Sequence, residues 1–216
     1  IMKEINLLKS IPNKKRNIYL RKKLKNLKTI EIANKFGKDY FDGKRSYGYG
    51  RYYYDGRWKN VAKEFIKFYK LKPGDKVLDV GCAKGFFVKD LIDKKIDAYG
   101  IDISKYAIKN CHPLVKSRLS LGNAIKIPYP DNSFKLVFSI NTLHNLKKTQ
   151  CVKAIQEIMR VSFKHKYIQV DAYRNLNEKK IFQDWVLTAK FHTYCNKWKI
   201  LFKSLKYNGE YYWTFV

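Results

Sequence analysis

The chain has 216 residues, the length of one domain with an extension. Hydrophobic residues make up 45% of it and aromatic residues 16%, a composition that excludes an intrinsically disordered chain. Its 46 Lys and Arg against 18 Asp and Glu give a formal net charge of +28, which would suit a nucleic-acid or anionic-surface partner. The charge is spread along the chain, however, and a general preference for Lys in the genome would give the same distribution.

Residues 3–36 mix basic and apolar side chains at broadly helical spacing, interrupted once at Pro12. The pattern predicts a basic amphipathic arm. Two interpretations stay open: a cap packed on the following domain, or an arm that binds a phosphate backbone or an anionic lipid surface. No apolar run approaches the roughly 20 residues of a membrane-spanning helix, so any membrane contact would be peripheral.

Residues 40–58 interleave glycines with tyrosines and resemble neither a helix nor a strand. Glycine allows a bendable loop, and the tyrosines carry large flat faces. We expect this segment to fold over a bound ligand as a lid, with Tyr49 and Tyr53 as contacts, or else to fill the space between the arm and the domain. The predicted boundary divides an arm and lid (1–57) from a second unit (58–216).

From Trp58 onward, strand-like apolar runs alternate with helical stretches, which is typical of a parallel sheet with crossover helices. The predicted strands are 76–80, 97–101, 118–122, 136–140, 167–170 and 210–216. The predicted helices include 58–70, 178–190 and 196–205. The fold class is therefore α/β, a Rossmann-like doubly wound and mostly parallel sheet with helices on both faces, plus an N-terminal helical or loop extension.

The strongest motif lies where the first of these strands ends. Residues 77–80 form a buried strand that contains Asp79, and the strand runs into the glycine-spaced turn 81–85 before a helix. Gly81 and Gly85 let the backbone bend tightly and approach a ligand. A ligand is therefore expected at the carboxyl end of this strand.

These residues resemble motif I of the class I S-adenosylmethionine-dependent methyltransferases, in particular the small-molecule type that includes the quinone-biosynthesis enzymes. The resemblance covers residues 58–170, with Ala83 at the middle position where the family usually has glycine. It implies S-adenosyl-L-methionine as cofactor, with S-adenosyl-L-homocysteine as product. It also implies an enzyme of the EC 2.1.1 type that methylates an O or N atom of a small-molecule acceptor.

Further family positions follow in order. Asp102 ends the second strand, where the family's acid accepts hydrogen bonds from both ribose hydroxyls, and Asn123 stands where an Asp or Asn contacts the adenine amine. Dinucleotide-binding enzymes have a similar acid at this position, so Asp102 alone does not separate them from the methyltransferases. The stretch 122–134, which resembles the methyltransferases, makes that separation. The predicted cofactor-binding residues are Asp79, Gly81, Cys82, Ala83, Gly85, Phe86, Asp102, Ile103, Asn123, Ala124, Asn141, Tyr49 and Tyr53.

Two residues are candidate catalytic bases. His144 follows the fourth strand in the family's substrate-facing turn, and an imidazole can take a proton from a hydroxyl or amine as methyl transfer proceeds. Asp171 follows the fifth strand and should face the same crevice. The alternatives are a pocket-shaping role for His144, and pocket electrostatics or a helix cap for Asp171. His112, His165 and His192 have no metal-site spacing, so no metal is predicted.

The other features narrow the function. The turn 141–144 differs from the Asn-Pro-Pro-aromatic turn of amino-group nucleic-acid methyltransferases, and no cysteine lies in a motif for C5 chemistry. Four widely spaced cysteines without a secretory signal favour the cytoplasm. Two alternatives remain, an RNA methyltransferase that uses the basic arm and a non-catalytic cofactor-binding protein. The sequence leaves the oligomeric state open.

Overall fold

A computed structural model describes residues 2–12 and 16–216. Its centre is one seven-stranded sheet in the order β1-β7-β6-β5-β2-β3-β4, and every strand pairing among the described residues is parallel. The strands are β1 (Lys3–Glu4), β2 (Lys76–Val80), β3 (Asp97–Asp102), β4 (Leu119–Leu121), β5 (Phe134–Ile140), β6 (Ser162–Asp171) and β7 (Glu210–Thr214).

Helices cover the sheet and connect its strands. They are α1 (Ile18–Leu24), α2 (Leu27–Asn34), α3 (Lys38–Asp42), α4 (Trp58–Tyr69), α5 (Phe86–Ile92), α6 (Lys105–Lys109), α7 (Lys148–Val161), α8 (Leu176–Trp185) and α9 (Cys195–Ser204). Two short 3₁₀ turns, Pro113–Arg118 and Leu143–Asn145, complete the connections.

The sheet is apolar on both faces because alternate residues of its central strands enter two separate cores. In β2, Val77 packs with side chains of α4 and α5, whereas Leu78 and Val80 pack with side chains of α7 and α9. A parallel sheet whose crossovers lie on both faces requires this double burial. The predicted Rossmann-like fold class is thus confirmed.

The N-terminal segment supplies an edge of the sheet that the sequence did not predict. β1 runs parallel to β7, and the amide of Ile5 donates to the carbonyl of Tyr211 at 2.9 Å. Leu7 and Leu8 are then buried in the core on the α4 side. After α9 the described chain has the single strand β7, so β1 occupies the position next to it instead of a second C-terminal strand.

Three predicted segments differ from the structure, and one of them is the strand predicted at 167–170, which begins at Ser162. Residues 40–42 belong to helix α3 and are not loop, since Gly37 begins a short helical turn that Gly43 ends. The helix predicted for 178–190 ends at Trp185, because Val186 is extended with φ −71° and ψ 142°. The extended residues after Trp185 line a cavity described below. No helix in residues 2–12 and 16–216 is long and apolar enough to cross a membrane.

Candidate active site

A cavity of about 410 Å³ opens at the carboxyl ends of β2, β3 and β5. It brings together nine of the residues predicted to bind the cofactor. They are Asp79, Gly81, Cys82, Ala83, Asp102, Ile103, Asn123, Asn141 and Tyr49. The carboxyl edge of an open parallel sheet is where such folds place ligands.

The turn after β2 is tight enough to require glycine at its start. The amides of Gly81 and Cys82 both donate to the carbonyl of Ile101, at 2.8 and 3.0 Å. Gly81 has φ +92°, and a Cβ there would come within 2.1 Å of the Thr142 hydroxyl oxygen. Ala83 also has a positive φ of 50°. The turn therefore keeps backbone close to the cavity, which a side chain at position 81 would prevent.

Asp102 is fixed at the cavity wall by its own backbone neighbours. One carboxylate oxygen accepts from the amide of Ala83 at 2.7 Å, and the other accepts from the amide of Ser104 at 2.8 Å. Burial raises the pKa of Asp102, although these amides favour the ionised form. Each oxygen has a further lone pair, so the carboxylate can still accept from a ligand's diol.

Asp79 lacks a neutralising partner among the described residues. Its residue is 6% exposed, it lines the cavity, and neither carboxylate oxygen has a hydrogen-bond partner there. Burial raises the pKa of Asp79 well above its usual range, and the nearby charge of Asp102 raises it further. A buried carboxylate is costly unless a cation or donor pairs with it. The site thus fits a ligand with a cationic portion, as S-adenosylmethionine has in its ammonium and sulfonium groups.

Aromatic rings from the Tyr/Gly-rich segment cover this cavity. The rings of Tyr49 and Tyr52 lie 4.5 Å apart, and Phe41 stacks on Tyr49 with centroids 5.8 Å apart. Tyr52 also stacks on Phe86 at 5.0 Å. Aromatic faces attract cations, so this cover adds to the match with a sulfonium.

Four predicted cofactor contacts do not line the cavity. Tyr53 is 65% exposed and does not line it, whereas its neighbour Tyr52 does. Phe86 lies behind Tyr52, and Ala124 packs against the core on the α7 side. Gly85 has φ +72° at the start of α5, where a Cβ would come within 2.5 Å of Leu119. Phe86 therefore supports the cavity through its contact with Tyr52, and Gly85 allows the close packing of this turn against Leu119.

A second cavity of about 610 Å³ adjoins the first. Six residues line both cavities: Tyr40, Tyr49, Tyr52, Trp58, Asn141 and Asn145. The second cavity also contains both candidate bases, His144 and Asp171. Two adjoining cavities offer separate places for a methyl donor and an acceptor.

His144 and Asp171 are in contact, and the donor and the acceptor of each contact can be assigned. The Nδ1 atom of His144 accepts from the backbone amide of Asp171 at 3.0 Å, so its Nε2 atom carries the proton of the neutral ring. Nε2 lies 3.3 Å from a carboxylate oxygen of Asp171. Burial lowers the pKa of His144 despite that neighbouring carboxylate, which keeps the ring neutral. Both ring nitrogens are thus engaged, and the Asp171 carboxylate is the better placed proton acceptor.

Sequence reasoning missed several lining residues. The amide oxygen of Asn145 is buried without a hydrogen-bond partner in the described part of the chain, although Asn145 lines both cavities. Asn34, Lys35 and Phe36 reach the first cavity from the arm. Asn145 stands next to the predicted base in the substrate-facing turn, so its position in the sequence could have indicated that it lines the site. Nothing in the pattern of the arm placed residues 34–36 in a cavity.

Comparison with known proteins identifies the surrounding domain. Residues 78–169 match the family described as "Methyltransferase domain". The chain is 36% identical over 95 residues to phosphoethanolamine N-methyltransferase 3 of Arabidopsis thaliana, covering 40% of this chain and 19% of that protein. It is 30% identical over 116 residues to demethylmenaquinone methyltransferase of Symbiobacterium thermophilum, covering 49% of this chain and 45% of that protein.

The fold comparison agrees with the sequence comparison. A crystal structure of a SAM-dependent methyltransferase from Archaeoglobus fulgidus has a TM-score of 0.55 and 21% identity, covering 68% of each chain. At this identity the likeness concerns the fold. The chain spans less than half the length of the two curated relatives described above.

Proposed function

Residues 78–169 belong to the class I S-adenosylmethionine-dependent methyltransferases, and from this premise we propose that the protein transfers a methyl group to an O or N atom of a small-molecule acceptor. The predicted family, enzyme class and cofactor are confirmed at the level of this family. The acceptor and the roles of individual residues are our proposal. The observation that carries it is the pair of adjoining cavities, with Asp79 and Asp102 in the first and Asp171 in the second.

In the first cavity, Asp102 would hold the ribose diol of the cofactor, Asp79 would balance a cationic group, and Asn123 would contact the adenine edge. The bound cofactor supplies an electrophilic methyl group on a positively charged sulfur. Tyr49 and Tyr52, which line both cavities, exclude water from the boundary between them. Holding donor and acceptor in line supplies much of the rate in such transfers.

In the second cavity, the Asp171 carboxylate takes the proton that leaves the acceptor's hydroxyl or amine. His144 acts as a positioning residue, since its Nε2–H donates to that carboxylate and its Nδ1 accepts from the Asp171 amide. Asn145 lines both cavities, so a polar acceptor group can approach this residue, whose amide oxygen has no hydrogen-bond partner in the described part of the chain. The relatives named for phosphoethanolamine and demethylmenaquinone support an acceptor of small-molecule size.

Methyl transfer from methyl-labelled S-adenosylmethionine to a panel of hydroxyl, amine and phosphorylated small molecules, with total RNA as a separate sample, tests this proposal. We expect label in at least one small molecule. Asp171→Asn should lower turnover by about 10²- to 10⁴-fold with S-adenosylhomocysteine binding retained. Asp131→Asn, at an exposed surface residue, is the matched control.

Other results contradict the proposal in distinct ways. Label in RNA alone, with binding that weakens steeply as salt rises, identifies an RNA methyltransferase. Cofactor binding with no transfer to any sample identifies a non-catalytic cofactor-binding protein. Full turnover by Asp171→Asn removes Asp171 as the base.

A further inference from the structure

Three arginines of the second cavity surround one tryptophan. The guanidinium carbons of Arg16, Arg21 and Arg45 lie 5.5, 4.8 and 5.3 Å from the ring centroid of Trp185. All four residues line the cavity that contains His144 and Asp171. The three positive charges around this ring repel each other, so either a bound anion or the surrounding structure must offset the repulsion.

No carboxylate among residues 2–12 and 16–216 lies within ion-pair distance of these three guanidiniums. Their hydrogen bonds go to backbone carbonyls: Arg16 donates to Phe215 at 2.6 Å, Arg21 donates to Ser46 at 3.0 Å, and Arg45 donates to Gly48. A guanidinium has five N–H donors, so donors remain on each one for a ligand. The three guanidiniums therefore form no ion pair within the described chain, although the charge of Asp171 acts on Arg16.

One member of the cluster is buried, whereas Arg16 and Arg45 are exposed to solvent. Arg21 is 7% exposed, and burial together with the charge of Arg45 lowers the pKa of Arg21 to about 10. Arg57 lines the same cavity but is paired with Asp55 at 2.5 Å. Within the described residues, the fold thus pairs one arginine of this cavity with a carboxylate and leaves three without an ion pair.

We propose that the acceptor is a phosphorylated small molecule whose phosphate group binds among Arg16, Arg21 and Arg45, while its O or N atom reaches Asp171. This inference rests on the proposed function and specifies its substrate class. Guanidiniums match phosphate oxygens in bidentate geometry, and Trp185 keeps the three side chains in place.

The charges of the site favour phosphate over carboxylate. Three guanidiniums and the Asp171 carboxylate leave two positive charges, with His144 neutral. A phosphomonoester carries about 1.5 to 2 negative charges at pH 7. A single carboxylate would leave one positive charge uncompensated. A diphosphate ester carries at least as much negative charge as a phosphomonoester, and the experiment distinguishes the two.

Calorimetry on the chain saturated with S-adenosylhomocysteine tests the inference, with inorganic phosphate, pyrophosphate and acetate as probes. We expect phosphate or pyrophosphate to bind and acetate to give no heat. Stronger binding of phosphate identifies a monoester acceptor, and stronger binding of pyrophosphate identifies a diphosphate one. Arg45→Gln and Arg16→Gln should each weaken that binding by about tenfold to a hundredfold. Arg118→Gln, whose partner Asp97 lies on β3, should leave it unchanged.

Thermal unfolding shows whether each variant is folded, so a loss of phosphate binding is not mistaken for a loss of structure. Because Arg45 forms no ion pair within the described residues, Arg45→Gln should leave the melting temperature of the free chain unchanged or raise it, and phosphate should stabilise the parent chain more than the variant. If the loaded chain binds no phosphate probe, or binds it equally in all variants, the inference is overturned and the proposed function stands. If phosphate binding depends on the arginines but S-adenosylhomocysteine gives no heat, the proposed function fails and an anion site remains.

Discussion

The carboxyl of Asp79 is held in surroundings that oppose its ionisation. Burial raises its pKa, and the unfolded chain has no such burial, so the folded chain binds the proton more readily. The stability that this carboxyl contributes is therefore present below its ordinary pKa and is lost as pH rises through the raised pKa. In the free protein at neutral pH this buried carboxyl lowers the free energy of unfolding, and in exchange its carboxylate faces the ligand.

Asp79→Asn tests this exchange directly. We expect the variant to raise the melting temperature of the free chain at pH 7, by about 2–4 °C for each kcal/mol of relief, and to bind S-adenosylhomocysteine more weakly. The gain should shrink as the pH is lowered, because the parent carboxyl then becomes protonated. Thermal scans across pH measure it, with the surface variant Asp131→Asn as control. A lower melting temperature for Asp79→Asn at pH 7 would contradict the account.

Individual site residues could be predicted where sequence order fixes spatial order. Asp79, Asp102 and Asn141 each end a strand of the same sheet edge, so their meeting in one cavity follows from the fold class. The cluster around Trp185 could not be predicted this way. Arg21 and Arg45 lie more than a hundred residues from Trp185 in sequence, and only tertiary packing brings them together.

At the scale of elements, the buried strands were the most predictable part. β2 was predicted with its bounds as observed, and β3 and β5 to within two residues, because long apolar runs bounded by turns allow few alternatives. β1 was not predicted because two residues are too few to show an alternating pattern of apolar and polar side chains. They form a strand only through their pairing with β7. The Tyr/Gly-rich segment likewise has no period, so the sequence could not tell that Tyr52 faces the cavity and Tyr53 faces solvent.

That difference between neighbouring tyrosines is measurable. Tyr52→Leu should weaken S-adenosylhomocysteine binding by about threefold to tenfold, because it removes a ring that lines the first cavity and stacks on Phe86. Tyr53→Leu should have no effect, since Tyr53 is 65% exposed. Calorimetry on both variants decides the matter. Equal losses in the two variants would mean that the segment acts only through its overall packing.

At the scale of the whole molecule, the N-terminal segment is built into the fold. Leu7 is 3% exposed in the same core as α4, while Leu27 at the start of α2 is 87% exposed. We expect Leu7→Ala to lower the free energy of unfolding by about 2–5 kcal/mol and Leu27→Ala to change it by less than about 0.5 kcal/mol. Denaturant unfolding of both variants measures this. A Leu7→Ala variant as stable as the parent chain would indicate an arm that does not contribute to the core.

The central claim is that the cavity at the ends of β2 and β3 binds S-adenosylmethionine. Calorimetric titration with S-adenosylhomocysteine tests it most directly, comparing the parent chain with Asp102→Asn and with Asp97→Asn at the opposite end of the same strand. The account predicts micromolar binding that Asp102→Asn weakens by about tenfold to a hundredfold and that Asp97→Asn leaves intact. No heat from the folded parent chain, or equal binding by all three proteins, would contradict it.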